Sequence, residues 1–197
     1  MAIENEENPF VLFERWFGQA AACKDIDDPT AMTLATADEH GHPDARQVLL
    51  KNHDAGGFVF YTNMTSPKAA QLRAVPRAAL CFYWMPLGKQ VRIRGPVELV
   101  SAEEADAYFA TRPRQSRLGA WASKQSQPIE APMALERRLA RTVTRFLFGP
   151  VPRPEFWMGF RVIPEAMEFW LKKPYRLHDR LLYSRTAEGW TCLRLYP

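Results

Sequence analysis

The sequence predicts a mainly β, α+β fold: an antiparallel barrel with helices at its periphery. Three observations carry that expectation. Strand-like segments recur at short regular spacing, tight-turn signals separate them, and helical patterns interrupt the series. No repeat, linker or low-complexity stretch divides the 197 residues. A single domain over 1–197 is expected, long enough for a real core, with residues 1–8 as a flexible arm.

The elements follow in order. "NPFVLFERWFGQAAA" reads as a helix with Asn8 as cap and Pro9 in its first turn, placing Phe10, Phe13, Trp16, Phe17 and Ala20 on one face. "AMTLATA" (31–37), "ARQVLLKN" (45–52) and "GFVFYTN" (57–63) read as strands, split by turns at "DEHGHP" and "HDAGG". "SPKAAQLRA" is a short helix with Ser66 as its cap and Pro67 at its first position. Strands are expected at 78–85 and 90–100, joined by the turn "PLGK"; in the second, Val91 and Ile93 alternate with Arg92 and Arg94. Ser101 and Glu104 form a capping box opening the helix "AEEADAYFATR", and another helix lies near 133–147. "WMGFRVIP", "AMEFWL", "RLLYSR" and "WTCLRLYP" supply the closing strands.

Composition narrows the function classes. A 47% hydrophobic and 24% charged chain is ordinary for a globular domain. Six tryptophans suit planar ligands, a large interface or dense core packing equally well. The net charge of +4 is too mild to imply nucleic acid and suits anionic small molecules, phosphates above all. Cys23, Cys81 and Cys192 form no CxxC pair and are expected to be buried reduced thiols. With no HExxH pattern among His40, His42, His53 and His178, no metal site is expected. "MAIENEENPF" lacks an apolar signal core and no apolar run reaches membrane-spanning length, so a cytoplasmic location is expected.

Several stretches can carry chemistry. On "RQVLLK", Arg46, Val48 and Leu50 face one way while Gln47, Leu49 and Lys51 face the other, so cations at the two ends address different sides. Two solvated edge charges explain this strand taken alone. "FYTNMTSPKAAQL" delivers Tyr61 and Thr62 beside the start of a helix whose first turn holds Lys68, an arrangement suited to a phosphate. In "YFATRPRQSRLGAW", Tyr108, Arg112 and Ser116 recur at intervals of four, a phenol, a guanidinium and a hydroxyl suited to a phosphate monoester, although Pro113 breaks or kinks a helix there. Gln125 and Ser126 add neutral donors and acceptors, and "FWLKKPYRLHDR" (169–180) gathers cations and aromatics before the last strands. No activated nucleophile, paired acids or GxGxxG fingerprint stands out, so chemistry would come from a bound cofactor.

Taken together, "RQVLLK", "GFVFYTN", "SPKA", "RPRQSRLGAWASKQS", "FWMGFRV", "EFW" and "RLHDR" resemble the pyridoxine/pyridoxamine 5′-phosphate oxidase family, in order and spacing, from about Asn8 to the C-terminus. The resemblance implies an FMN-binding split barrel, a homodimer with FMN between subunits, and oxidation of pyridoxine or pyridoxamine 5′-phosphate to pyridoxal 5′-phosphate. Hydride would pass from substrate C4′ to flavin N5, with oxygen as acceptor giving hydrogen peroxide. It assigns Arg46, Gln47, Val48, Leu49, Leu50, Lys51, Tyr61, Thr62, the Pro67 position, Lys68, Gln90, Gln125, Ser126, Trp170 and Arg180 to FMN. It assigns Lys51, Tyr108, Arg112 and Ser116 to the substrate, mainly its phosphate, and Arg176 and His178 to the face of the substrate over the flavin.

Three departures from the family pattern stand out. Pro67 replaces an arginine that touches the FMN phosphate, "FWLKKPYRLHDR" replaces a glycine-containing turn, and the chain starts close to its first helix. Rival readings are a flavin oxidase acting on another aromatic ring, a flavin or pyridoxal-phosphate carrier without turnover, and nucleic-acid binding through Arg137, Arg141 and Arg145. The last is weakened by the lack of interleaved aromatic residues.

Overall fold

The computed structural model describes residues 2–197. Among the described residues, ten strands and five α-helices form the expected antiparallel split barrel. The strands are β1 (Ala31–Ala37), β2 (Pro43–Leu49), β3 (Asn52–Asp54), β4 (Gly57–Asn63), β5 (Arg77–Trp84), β6 (Lys89–Leu99), β7 (Trp157–Val162), β8 (Ala166–Leu171), β9 (Asp179–Thr186) and β10 (Gly189–Leu195). The helices are α1 (Pro9–Ala22), α2 (Pro67–Ala74), α3 (Ala102–Thr111), α4 (Arg114–Ala122) and α5 (Ala134–Arg145).

One path of neighbours runs β10-β9-β8-β6-β5-β1-β2, and β7 and β4 branch from β6 with β3 beyond them. The branch lies within β6. Residues 89–94 pair with β8, whereas Val97–Leu99 pair with β7. The change of partner falls at Gly95-Pro96, where a β-carbon on Gly95 would collide with the Ile163 carbonyl oxygen. A second change of partner divides the expected strand 45–52. Through Leu49 the chain pairs with β1, the Leu50 amide then donates to Thr30, and the Lys51 amide donates to Val59 of β4. The two strands there are separate because the chain passes from one half of the barrel to the other.

Helix α1 starts as its sequence dictates: the Asn8 side chain accepts from the Phe10 amide, and Pro9 stands in the first turn. Its inner face buries Leu12, Phe13, Trp16 and Ala20 against the sheet, with Phe10 and Phe17 half-buried at the edges. Phe13 meets Phe58 and Phe82 edge-on at 4.8 and 5.3 Å, geometries that add to plain area burial. Ser101 accepts from the Glu104 amide as the capping box requires. Ser66 behaves differently. It precedes α2, but its hydroxyl makes no cap bond and is buried without a partner. The three cysteines are free and half-buried rather than fully buried. The segment before α1 is tied down at Ile3, which is 4% exposed and belongs to the core.

Candidate active site

The proline in "TRPR" decides the local geometry. α3 ends at Thr111, Arg112 is extended at ψ 145°, and α4 begins at Arg114. Tyr108 and Arg112 therefore leave the end of one helix, while Ser116 belongs to the next. Tyr108 and Arg112 reach a cavity of about 320 Å3, whereas Ser116 is half-buried outside its wall.

That cavity gathers most of the expected residues from the first half of the chain. Gln47, Val48, Leu49 and Lys51 come from β2 and the residues after it, Tyr61 and Thr62 from β4, Lys68 from α2, and Gln125 from the loop after α4. Alternation along β2 works as expected, with Gln47 and Leu49 exposed while Leu50 enters the core. Arg46 is engaged elsewhere. Its guanidinium bonds Thr36 at 2.6 Å and Gln71 at 3.0 Å and pairs with Asp44 at 2.5 Å.

The electrostatics are one-sided. Lys51, Lys68 and Arg112 line the cavity, and among the described residues no carboxylate does. Lys68 is 9% exposed, and its ammonium donates to the neutral Gln125 Oε1 at 3.1 Å, which also accepts from Thr62 Oγ1 at 3.2 Å. Burial first, then the nearby Arg46 charge, pushes the Lys68 pKa below its ordinary 10.5. Arg112 Nη1 is buried without a hydrogen-bond partner, and burial lowers its pKa. Desolvated cations without a counter-anion are a matched receptor for a phosphate.

One wall is aromatic. Tyr61 stacks on Tyr108 at 4.3 Å and on Trp157 at 4.8 Å, with interplanar angles of 8° and 3°. The Arg112 guanidinium lies 4.9 Å from the Trp157 ring centroid. Burial, helped by Glu104 and Tyr108, pushes the Tyr61 phenol up to about 12, so it is a neutral donor at neutral pH. Asn63, expected with Tyr61 and Thr62 at the mouth of the barrel, lines the cavity, as do Trp157, Ala120 and Ser123, which the sequence pattern gave no role. Trp157 stood inside the quoted "FWMGFRV", and its proximity to the small Gly159 was the available signal.

A second cluster lies apart from this cavity. Gln90, Trp170 and Arg180 occupy one row across β6, β8 and β9. The His178 ring sits 4.5 Å from Trp170, and its Nδ1 accepts from the Lys173 amide at 3.2 Å. Arg180 is held by Glu168 Oε1 at 2.8 Å. Tyr175 and Arg176 both adopt left-handed backbone, at φ 57° and 59°, costing about 1–3 kcal/mol each. None of Gln90, Trp170, Arg176, His178 and Arg180 lines the first cavity. Pro67 occupies the first position of α2, and Ser126, at φ 67°, lines a neighbouring cavity of about 220 Å3. Within one chain, most of the expected site thus falls into two groups of residues, with Arg46, Leu50, Pro67, Ser116 and Ser126 in neither.

The donor set fits a flavin phosphate and a planar ring. Lys68, Thr62 and Gln125 supply the anion grip, and Arg112 brings a second cation to the cavity wall.

Comparison with known proteins gives concordant findings. Residues 19–146 match the family model described as pyridoxamine 5′-phosphate oxidase, and residues 157–197 match the pyridoxine 5′-phosphate oxidase C-terminal dimerisation region. The chain is 56% identical over 197 residues to the pyridoxine/pyridoxamine 5′-phosphate oxidase of Maricaulis maris, covering 99% of this chain and 88% of that one. Among solved structures, PhzG from Burkholderia lata 383, in complex with tetrahydrophenazine-1-carboxylic acid, superposes with a TM-score of 0.92 at 30% identity, covering 98% and 95% of the two chains. A pyridoxamine 5′-phosphate oxidase-related, FMN-binding protein from Nostoc punctiforme shares the fold, with a TM-score of 0.76 at 18% identity and full coverage of both chains.

Proposed function

The chain belongs to the pyridoxine/pyridoxamine 5′-phosphate oxidase family and is an enzyme of that family, and from that premise we propose that it oxidises pyridoxine or pyridoxamine 5′-phosphate with FMN, as a cytoplasmic homodimer. The observation that carries this reading is the cavity wall, which presents three cations and no carboxylate beside a stacked aromatic face. Bound FMN would supply the redox chemistry, a hydride acceptor at N5 for the substrate C4′ hydride with oxygen as the final acceptor and hydrogen peroxide as its product.

The chain's own residues do the binding and orienting. Lys68, Thr62 and Gln125 grip the flavin phosphate, and Lys68 carries most of that task because proline stands at position 67. Lys51, Tyr108 and Arg112 hold the substrate phosphate from the cavity wall, and Ser116, which lies outside that wall, would have to turn toward it to join them. Anchoring the remote anion holds the ring in register for reaction at C4′, which is how binding energy lowers a barrier. Arg176 and His178 orient the ring from the other side. Because His178 Nδ1 accepts a backbone N–H, Nε2 bears the proton and is a donor toward the substrate's oxygen or amine. Gln90, Trp170 and Arg180 complete the flavin site from the second cluster. Since that cluster does not share the cavity within one chain, the reading has it contributed across a dimer, which the match to a dimerisation region supports.

The likeness to PhzG favours a second reading, a flavin oxidase acting on another aromatic ring. The higher identity to a pyridoxine/pyridoxamine 5′-phosphate oxidase, 56% against 30% to PhzG, argues for the phosphate ester instead. Oxygen uptake with pyridoxine 5′-phosphate but not with pyridoxine is the result the first reading requires. Uptake with neither, by a protein that carries flavin, would favour the second or a carrier without turnover.

A further inference from the structure

In "RLHDR", Arg176, His178 and Arg180 have roles in the proposed reaction, and Asp179 has none. The geometry points to Asp179 as a positioning residue, a joint through which the N-terminal segment holds the loop bearing Arg176 and His178 in place. The inference rests on the assignment of those two residues to the substrate.

Burial alternates along β9. Asp179, Leu181 and Tyr183 face inward, while Arg180, Leu182 and Ser184 face outward. Asp179 thus places a carboxylate in the core row, 7% exposed, where an apolar side chain would be the ordinary choice. Its oxygens are fully engaged. Oδ2 accepts from the Ile3 amide at 2.6 Å and lies 3.7 Å from Lys173 Nζ, while Oδ1 accepts from Arg194 Nη1. The other Arg194 nitrogen, Nη2, donates to the Ile3 carbonyl at 3.0 Å. Both backbone polar groups of Ile3 are therefore clamped by one ion pair.

Two further contacts extend the joint. Tyr183, two residues along the same inward row, donates to Asn5 Oδ1 at 2.9 Å and accepts from the Glu6 amide at 3.1 Å, so residues 3–6 are fastened along β9. At the other end, Lys173 reaches Asp179 with its ammonium and gives its backbone N–H to His178 Nδ1. Asp179 thereby cross-links the two stems of a loop whose tip, Tyr175 and Arg176, is held in left-handed backbone. Apolar packing at position 179 would bury area without fixing direction, whereas a carboxylate with three partners fixes both stems and the strap that crosses them.

The test is amide hydrogen exchange and steady-state kinetics on the full-length, FMN-loaded protein, comparing the parent with Asp179→Asn and Arg194→Gln. In both variants, exchange is expected to rise by about tenfold or more in 2–8 and in 172–178 together. The kcat with pyridoxine 5′-phosphate is expected to fall while its KM and the bound flavin stay near the parent values. If exchange rises at 2–8 while 172–178 is unchanged, the joint does not reach the loop and the inference is overturned. Should Asp179→Asn fail to fold, deletion of residues 2–4, which removes the Ile3 contacts and leaves Asp179 intact, is expected to raise exchange in 5–8 and in 172–178 and to lower kcat; unchanged exchange in 172–178 overturns the inference. If the parent protein shows no oxidase activity, the assigned reaction fails, while the exchange measurement still decides whether Asp179 couples strap to loop.

Discussion

Tyr61 and Gly159 face each other across the β4–β7 ladder, and the ring of the first fills the space a side chain on the second would need. A β-carbon at 159 would come within 2.7 Å of the Tyr61 ring and 2.8 Å of Val100. Gly159→Ala is therefore expected to destabilise the fold by about 1–3 kcal/mol. It should also weaken flavin binding by tilting Tyr61 away from Tyr108 and Trp157. Urea unfolding and flavin titration on the same variant check both effects.

Arg112 lines the cavity, and its guanidinium stacks over Trp157. Arg112→Lys keeps the charge but loses the planar fork and the stacking surface. The KM for pyridoxine 5′-phosphate is expected to rise by about tenfold to a hundredfold with kcat little changed. Equal losses in kcat and kcat/KM would instead assign Arg112 to the chemical step.

The lowered pKa of Lys68 gives flavin binding a pH dependence of known sign. A bound phosphate favours the ammonium, so the free protein binds fully while Lys68 is protonated and loses affinity as pH rises through its depressed value. The expected decline lies on the alkaline side and starts below the ordinary lysine value of 10.5. FMN titrations should show it, riboflavin titrations should not, and Lys68→Arg should move it to higher pH.

The separation of Lys68 from Trp170 predicts complementation. Lys68→Ala and Trp170→Ala are each expected to weaken flavin binding and turnover. Co-expressed as differently tagged chains, they should form hybrid dimers in which one site carries both changes and the other neither. Activity in purified hybrids well above that of either variant alone is the expected result; hybrids no more active than the variants would place the two clusters in separate sites.

Much of the fold was legible because local signals agreed with tertiary context. The strands at 31–37 and 57–63 and the Asn8-Pro9 helix start form where turn residues and side-chain period coincide. The division of 45–52 was not legible, since alternation runs unbroken through Leu50 and Lys51 while their amides turn to different partners. Ser66 has the sequence of a cap but leaves its hydroxyl unbonded, a matter of rotamer that no motif states. In the site, residues near one another in sequence were easily grouped: Tyr61, Thr62 and Lys68, and likewise Tyr108 and Arg112. Trp157 was missed because its place in the wall depends on the pairing of β4 with β7, which joins distant parts of the chain.

The most direct measurement is the visible spectrum of the purified protein under anaerobic conditions, before and after pyridoxine 5′-phosphate is added. The account expects a bound flavin whose absorption bleaches on addition of the ester and returns when air is admitted. A protein that stays colourless after incubation with excess FMN, or a bound flavin that the ester leaves oxidised, would contradict it.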